Sequence, residues 1–148
     1  MIKIKNANLS DVSNLLEIEN DTFVGGEKYN QDFFIYNLKG NDFAKTLILF
    51  EDDCAISYLI YWITFDSATI ISLATKKDFQ QKGYATLLLN EMLKDLKNSN
   101  VETVTLEVRK SNIKAIKLYE KHGFVFCNTK KNYYENPCED ALYYVKGV

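Results

Sequence analysis

The sequence predicts an α/β domain with a central mixed, mostly antiparallel sheet of six to seven strands and helices on both faces. Three observations carry that prediction. Seven short segments are apolar or alternate with period two, helical segments lie between them with apolar residues at three- and four-residue spacing in the longer ones, and the middle of the chain reads strand, helix, strand. Such a unit needs parallel pairing with a right-handed crossover, whereas the hairpin-length turns elsewhere make antiparallel neighbours. With 47% hydrophobic and 14% aromatic content, residues 1–148 suffice for a single domain whose core needs neither metal nor disulfide.

Each element has a local reason. Residues 2–6 alternate apolar and polar as a strand does, and Ser10 can cap a helix running to residue 20, with Val12, Leu15, Leu16 and Ile18 on its apolar face. Val24, Gly25 and Gly26 break the pattern. A short helix over 31–38 precedes strands 46–50 and 54–63, which the turn residues Glu51, Asp52 and Asp53 join as a hairpin. Strand 68–75 leads through a glycine-bearing loop into a helix whose Ala85, Leu88, Leu89, Met92, Leu93 and Leu96 form one stripe for the sheet. Strand 102–108 follows, then a helix over 111–121 that stops at His122 and Gly123, with Phe124 supplying the hydrophobic contact of a left-handed cap. Strands 124–129 and 142–146 close the sheet, with the single proline, Pro137, in the loop between them.

Composition excludes several function classes. The net charge is -2 and the pI about 5.5, with lysines scattered among acidic residues, so no basic stripe is present to neutralise nucleic-acid phosphates. Cys54, Cys127 and Cys138 are odd in number, widely spaced and joined only by His122 as a possible imidazole ligand, which argues against a disulfide framework or a zinc site. The first residues lack the apolar core of a secretory leader, and no apolar run approaches the ~18 residues of a membrane span. The expectation is a cytoplasmic monomer or weak dimer that uses no metal.

The loop Gln80, Gln81, Lys82, Gly83, Tyr84, Ala85, Thr86 lies between a strand and a helix start, and that is the construction of an anion cradle. Backbone N–H groups in the first turn of a helix lack intrahelical partners, and the helix dipole adds partial positive charge there. Gly83 lets the chain turn, and Ala85 is small enough to leave a pyrophosphate room. The bland alternative is a tight connection with a glycine for geometry. A Walker loop would end in Gly-Lys-Ser/Thr, and a dinucleotide fingerprint would place glycine where Leu88 stands. The pattern Gln/Arg-x-x-Gly-x-Gly/Ala fits Gln80, Gly83 and Ala85.

That pattern resembles the acetyl-CoA loop of the GNAT superfamily of N-acetyltransferases. Further along, Leu106, Glu107, Val108 and Arg109, then Ser111 and Asn112, Leu118, Tyr119 and Glu120, Gly123 and Phe124, Asn132, Tyr133 and Tyr134, and Glu139, Asp140 and Ala141 together resemble the RimI-type ribosomal-protein-alanine N-acetyltransferases. The likeness is dense in the C-terminal half; the first 65 or so residues match in element order. It implies a GNAT-like fold with acetyl-CoA as cosubstrate and a protein N-terminus, from a ribosomal protein, as acceptor. It further implies that the backbone of Leu73, Ala74 and Thr75 pairs with the pantetheine arm like an added strand. Gln81, Lys82, Gly83, Tyr84, Ala85 and Thr86 would hold the pyrophosphate and Asn112 a further part of the cofactor. Glu107 matches the general base and Tyr119 the general acid.

Each role has a competing reading. Glu107 is also a solvated strand-end charge or a partner for Arg109, Tyr119 a core aromatic, Asn112 a helix cap, and Lys82 a solvated loop lysine that contributes its backbone. His122 reads as a helix-end residue favoured by the dipole. Tyr133 and Tyr134 are candidates to wall an acceptor groove, or equally to pack on the sheet. Two places depart from the family it resembles: Val24, Gly25 and Gly26 replace a Pro-Trp-Ser-like segment, and Lys77 stands where proline is frequent. Acetyl transfer to a small-molecule amine and a non-catalytic acyl-CoA-binding module are the alternatives.

Overall fold

Among the described residues, 1–23 and 28–148 of the computed structural model, seven strands form one sheet. They are β1 (Ile2–Asn6), β2 (Ala44–Glu51), β3 (Cys54–Thr64), β4 (Ser67–Thr75), β5 (Thr103–Arg109), β6 (Val125–Glu135) and β7 (Cys138–Gly147), in the order β1-β2-β3-β4-β5-β7-β6. Every neighbouring pair is antiparallel except β4 and β5, whose parallel pairing follows from the α-helical crossover between them. The expected mixed sheet is present.

Helices cover both faces. On one side α1 (Val12–Thr22) and α2 (Gln31–Ile35) bury Leu15, Ile18 and Phe34 against Ile48, Tyr58, Ile60 and Ala74. On the other, α3 (Tyr84–Asn98) lays Leu88, Leu89, Met92 and Leu96 on Leu59, Ile70 and Leu106, while α4 (Ile113–Lys121) adds Tyr119. The stripe expected for α3 is the buried one, with Ala85 and Leu93 at its half-buried margins.

Four local expectations need correction. Asn8, not Ser10, starts the first helical segment: its Oδ1 accepts from Ser10 N and its own N–H donates to Asp11 Oδ2, both at 2.9 Å, a reciprocal box leading through a 3-10 turn at Leu9–Asp11 into α1. The second helix is regular only to Ile35 and then widens over Tyr36–Gly40, where the buried Asn37 donates to Phe33 O and accepts from Trp62 Nε1. The last two strands are longer than their apolar patterns suggest, and Pro137 sits in a tight turn between them. Tyr133 and Tyr134 therefore lie within β6, a polar edge strand whose register shifts twice. The break at Val24, Gly25 and Gly26 lies outside the described residues.

One irregularity positions everything that follows. Ile60 faces Ser72 and Tyr61 faces Ile70, so Ile71 is an extra residue that bulges β4. At the same level β4 stops pairing with β5: the last parallel partners are Ile70 and Leu106. Beyond them Leu73, Ala74 and Thr75 stay paired with β3, and Glu107, Val108 and Arg109 stay paired with β7. The sheet splits down its middle.

Candidate active site

The split opens into a cavity of about 520 Å³ lined by Leu73, Ala74 and Thr75 from β4, by the loop and first turn of α3, and by Asn112, Ala115 and Tyr119 at α4. Thr22 Oγ1 and Gln80 Nε2 both donate to Thr75 O, at 3.0 and 2.9 Å, fixing the end of β4 against α1 on one side and the loop on the other. Nearby, Lys77 N–H donates to Asp21 Oδ2 at 2.7 Å. A proline has no N–H to give, so the residue found at position 77 uses a bond that the family's frequent residue cannot make.

The loop before α3 makes the turn that its glycine suggested. Gln81 (φ 60°) and Gly83 (φ 90°) both take left-handed backbone conformations, turning the chain so that α3 begins at the mouth of the split. Among the described residues no side chain caps this helix, and Leu87 N is the first to bond back, to Gly83 O at 3.2 Å. The amides of Tyr84, Ala85 and Thr86 thereby have no backbone partner among the described residues, at the positive end of a helix of 15 residues. Gln81, Gly83, Tyr84, Ala85 and Thr86 all line the cavity. Lys82 does not: its ammonium lies 5.8 Å from the Phe79 ring centre. The Tyr84 hydroxyl reaches Glu51 Oε2 at 2.8 Å, tying the first turn of α3 to the end of β2.

Asn112 is the helix cap and also faces the cavity. Its Oδ1 caps α4 by accepting from Ala115 N at 3.2 Å, and the same residue lines the cavity. Tyr119 is a core aromatic, 6% exposed and edge-on to Phe124, yet it too borders the cavity. Its hydroxyl has no hydrogen-bond partner among the described residues. Burial, with a smaller contribution from Tyr134, pushes its phenol well above the usual tyrosine range, so it stays protonated.

Glu107 lies on the other face. Val104, Leu106 and Val108 point into the core shared with α3 and α4, so strand alternation turns Glu107 toward the α1 side. It does not pair with Arg109, which instead bonds Glu139 and the Asn136 and Pro137 carbonyls and stacks on Tyr134 at 4.2 Å. Its partner is Lys130, whose Nζ stands 2.7 Å from Oε2; the Tyr133 hydroxyl lies 3.4 Å from Oε1. Tyr133 is thus brought to Glu107, with Tyr134 edge-on to it and stacked on Arg109, and neither lines the cavity. Burial, then the Glu107 charge, pushes the Tyr134 phenol up to about 12.

Residues 12–124 match the family model described as Acetyltransferase (GNAT) family. The chain belongs to the GNAT family of acetyltransferases. Within it, a ribosomal protein bS18-alanine N-acetyltransferase of Haemophilus influenzae is 36% identical over 132 residues, covering 86% of this chain and 84% of that one. An N-alpha-acetyltransferase of Saccharolobus solfataricus is 32% identical over 151 residues, covering 93% and 88%. The crystal structure of the ribosomal-protein-S18-alanine N-acetyltransferase from Escherichia coli superposes with a TM-score of 0.91 at 27% identity, over 100% of this chain and 94% of that one. The expected GNAT-like fold and family both hold.

Two charged residues near the split carry no role in the sequence pattern: Lys130, the partner of Glu107, and Glu19, the partner of Tyr58. Lys130 was hidden because β6 was expected to end one residue before it. Glu19, 1% exposed, was legible as a charge four residues after Leu15 on the buried face of α1, a signal passed over in favour of the apolar positions.

Proposed function

We propose that the protein transfers acetyl from acetyl-CoA to the N-terminal α-amine of a protein, an alanine-beginning ribosomal protein being the acceptor its relatives' names suggest. The observation that carries this reading is the split between β4 and β5, with an uncapped helix N-terminus at its mouth and Glu107 and Tyr119 on opposite faces. In this reading the diphosphate binds the amides of residues 81–86, and the pantetheine arm extends along Leu73, Ala74 and Thr75 as a strand would. Asn112 contributes a further contact. The thioester then lies in the gap, open to an amine from the Glu107 face and to Tyr119 on the sulfur side.

The chemistry asks little of the base for such an acceptor. An α-amine with pKa near ~8 costs about 1 kcal/mol to deprotonate at pH 7, whereas a lysine side chain at ~10.4 costs roughly 4 to 5 kcal/mol. Glu107 takes the proton, directly or through a water, for about 10² to 10⁴ in rate, and alignment of amine and thioester supplies the larger share. Tyr119 is too weak an acid to release its proton fully to a thiolate whose conjugate pKa is ~8.5, so its part is a hydrogen bond to the sulfur as charge develops there. No cysteine is among the described residues lining the cavity, which favours direct attack over an acetyl-enzyme. Tyr133 and Tyr134 wall the acceptor groove.

Mass spectrometry after incubation with acetyl-CoA tests this. Peptides with a free N-terminal alanine should gain one acetyl group at the α-nitrogen. Acetylation confined to lysine side chains or small amines would redirect the assignment, and coenzyme binding with no acceptor modified would leave a binding module.

A further inference from the structure

The ammonium of Lys130 is held in an unusual setting for an edge-strand lysine. Its Nζ is 2.7 Å from Glu107 Oε2, 5.1 Å from the Tyr143 ring centre and 5.5 Å from the Tyr133 ring centre. One carboxylate and two aromatic faces form the arrangement that recognises a primary ammonium. This is also the carboxylate assigned to the acceptor amine.

We propose that Lys130 occupies the acceptor amine's seat in the free enzyme, so that an incoming α-ammonium must displace it, and that Lys130 returns once acetylation has removed the product's charge. The inference rests on the reading of Glu107 as the group facing the acceptor.

Three features fit a displaceable occupant. The ion pair is partly exposed, with the Lys130 side chain at 40% and the Glu107 side chain at 24%, so exchange does not strand a fully buried charge. Lys130 sits beside a register shift in β6, where the regular ladder with β7 is interrupted between Lys130 and Tyr134. The Glu107 carboxylate also holds the Lys130 amine protonated, raising its pKa, so the occupant is a poor nucleophile and is not itself consumed as an acceptor. Substrate and product are thereby distinguished by charge: the free amine replaces one cation with another beside Glu107, whereas the amide has no charge to offer.

Steady-state kinetics of K130M with acetyl-CoA and a short alanine-beginning peptide test the proposal. If the seat is closed about 70 to 90% of the time, opening it permanently lowers the acceptor KM by about three- to tenfold. The KM for acetyl-CoA and kcat should stay near wild type, inhibition by the Nα-acetylated peptide should strengthen, and K130R should restore the higher acceptor KM. A K130M enzyme whose acceptor KM is unchanged or raised, or whose kcat falls at constant KM, makes Lys130 a support for Glu107 and overturns the displacement while acetyl transfer stands. Absence of turnover in wild type and variant alike removes the reading beneath the proposal, and the proposal with it. A melting temperature for K130M within a few degrees of wild type separates these outcomes from misfolding.

Discussion

Tyr58 donates its hydroxyl to Glu19 Oε1 at 2.6 Å, joining β3 to α1 inside the sheet's covered face. The other carboxylate oxygen accepts from Tyr29 N at 2.9 Å, and the Tyr58 hydroxyl also meets Ser72 Oγ at 2.8 Å on the bulged stretch of β4. A buried carboxylate thus connects the approach to α2, the central hairpin and the strand that borders the gap in the sheet. Desolvation raises the Glu19 pKa above its ordinary value of 4.5, with the Tyr58 and Tyr29 bonds opposing it.

Removing the Tyr58 hydroxyl leaves Glu19 Oε1 without its donor in a buried site. Y58F should lower unfolding free energy by about 1 to 3 kcal/mol in urea titrations at pH 7. A variant as stable as wild type would show that Glu19 finds another donor.

The sign of the pH dependence follows from the raised pKa. The folded state binds a proton at Glu19 more readily than the unfolded chain, so this group's contribution favours folding most below pH 4.5 and declines as pH rises through the elevated folded value. The difference in stability between wild type and E19Q should therefore change across that window and level off above it. A pH-independent difference would mean that Glu19 titrates alike in both states.

Glu107→Gln keeps the shape of the side chain and removes its basicity. Turnover should fall by about 10² to 10⁴ while the KM for acetyl-CoA stays near wild type, because Glu107 lies outside the cofactor-side cavity. Loss of coenzyme affinity in place of turnover would contradict the assigned role.

Tyr119→Phe removes a hydroxyl that has no hydrogen-bond partner among the described residues, so stability should stay within about 0.5 kcal/mol of wild type. The expected loss in kcat is about a hundredfold, that of one donor to a developing charge. Full activity in the phenylalanine variant would return Tyr119 to a packing role.

At Gly83 the backbone φ of 90° suits glycine, while a Cβ there would meet no atom within 4 Å. G83A therefore tests conformation and not crowding: stability should fall by about 1 to 2 kcal/mol and the KM for acetyl-CoA should rise several-fold. An unaltered coenzyme KM would argue that the loop can cradle phosphates without this turn.

Much of this was legible in residue pattern because the elements concerned are set by local rules. The stripe of α3, the turn at Gly83 and the cap at Gly123 each follow from period or backbone freedom, and all are found where expected. Elements governed by distant partners were less legible. The end of β6 is held by pairing with β7 despite its polar run through Lys130, Lys131 and Asn132, so no apolar alternation announces it. The same holds for the Glu107 and Lys130 pair, which only the β5, β7, β6 strand order brings together.

A crystal structure of the protein with coenzyme A bound is the most direct measurement of the central claim. The account predicts diphosphate oxygens within hydrogen-bond distance of the amides of residues 81–86 and the pantetheine arm lying in the gap beyond Ile70 and Leu106. Coenzyme bound elsewhere, or a gap that closes by re-pairing β4 with β5, would contradict it.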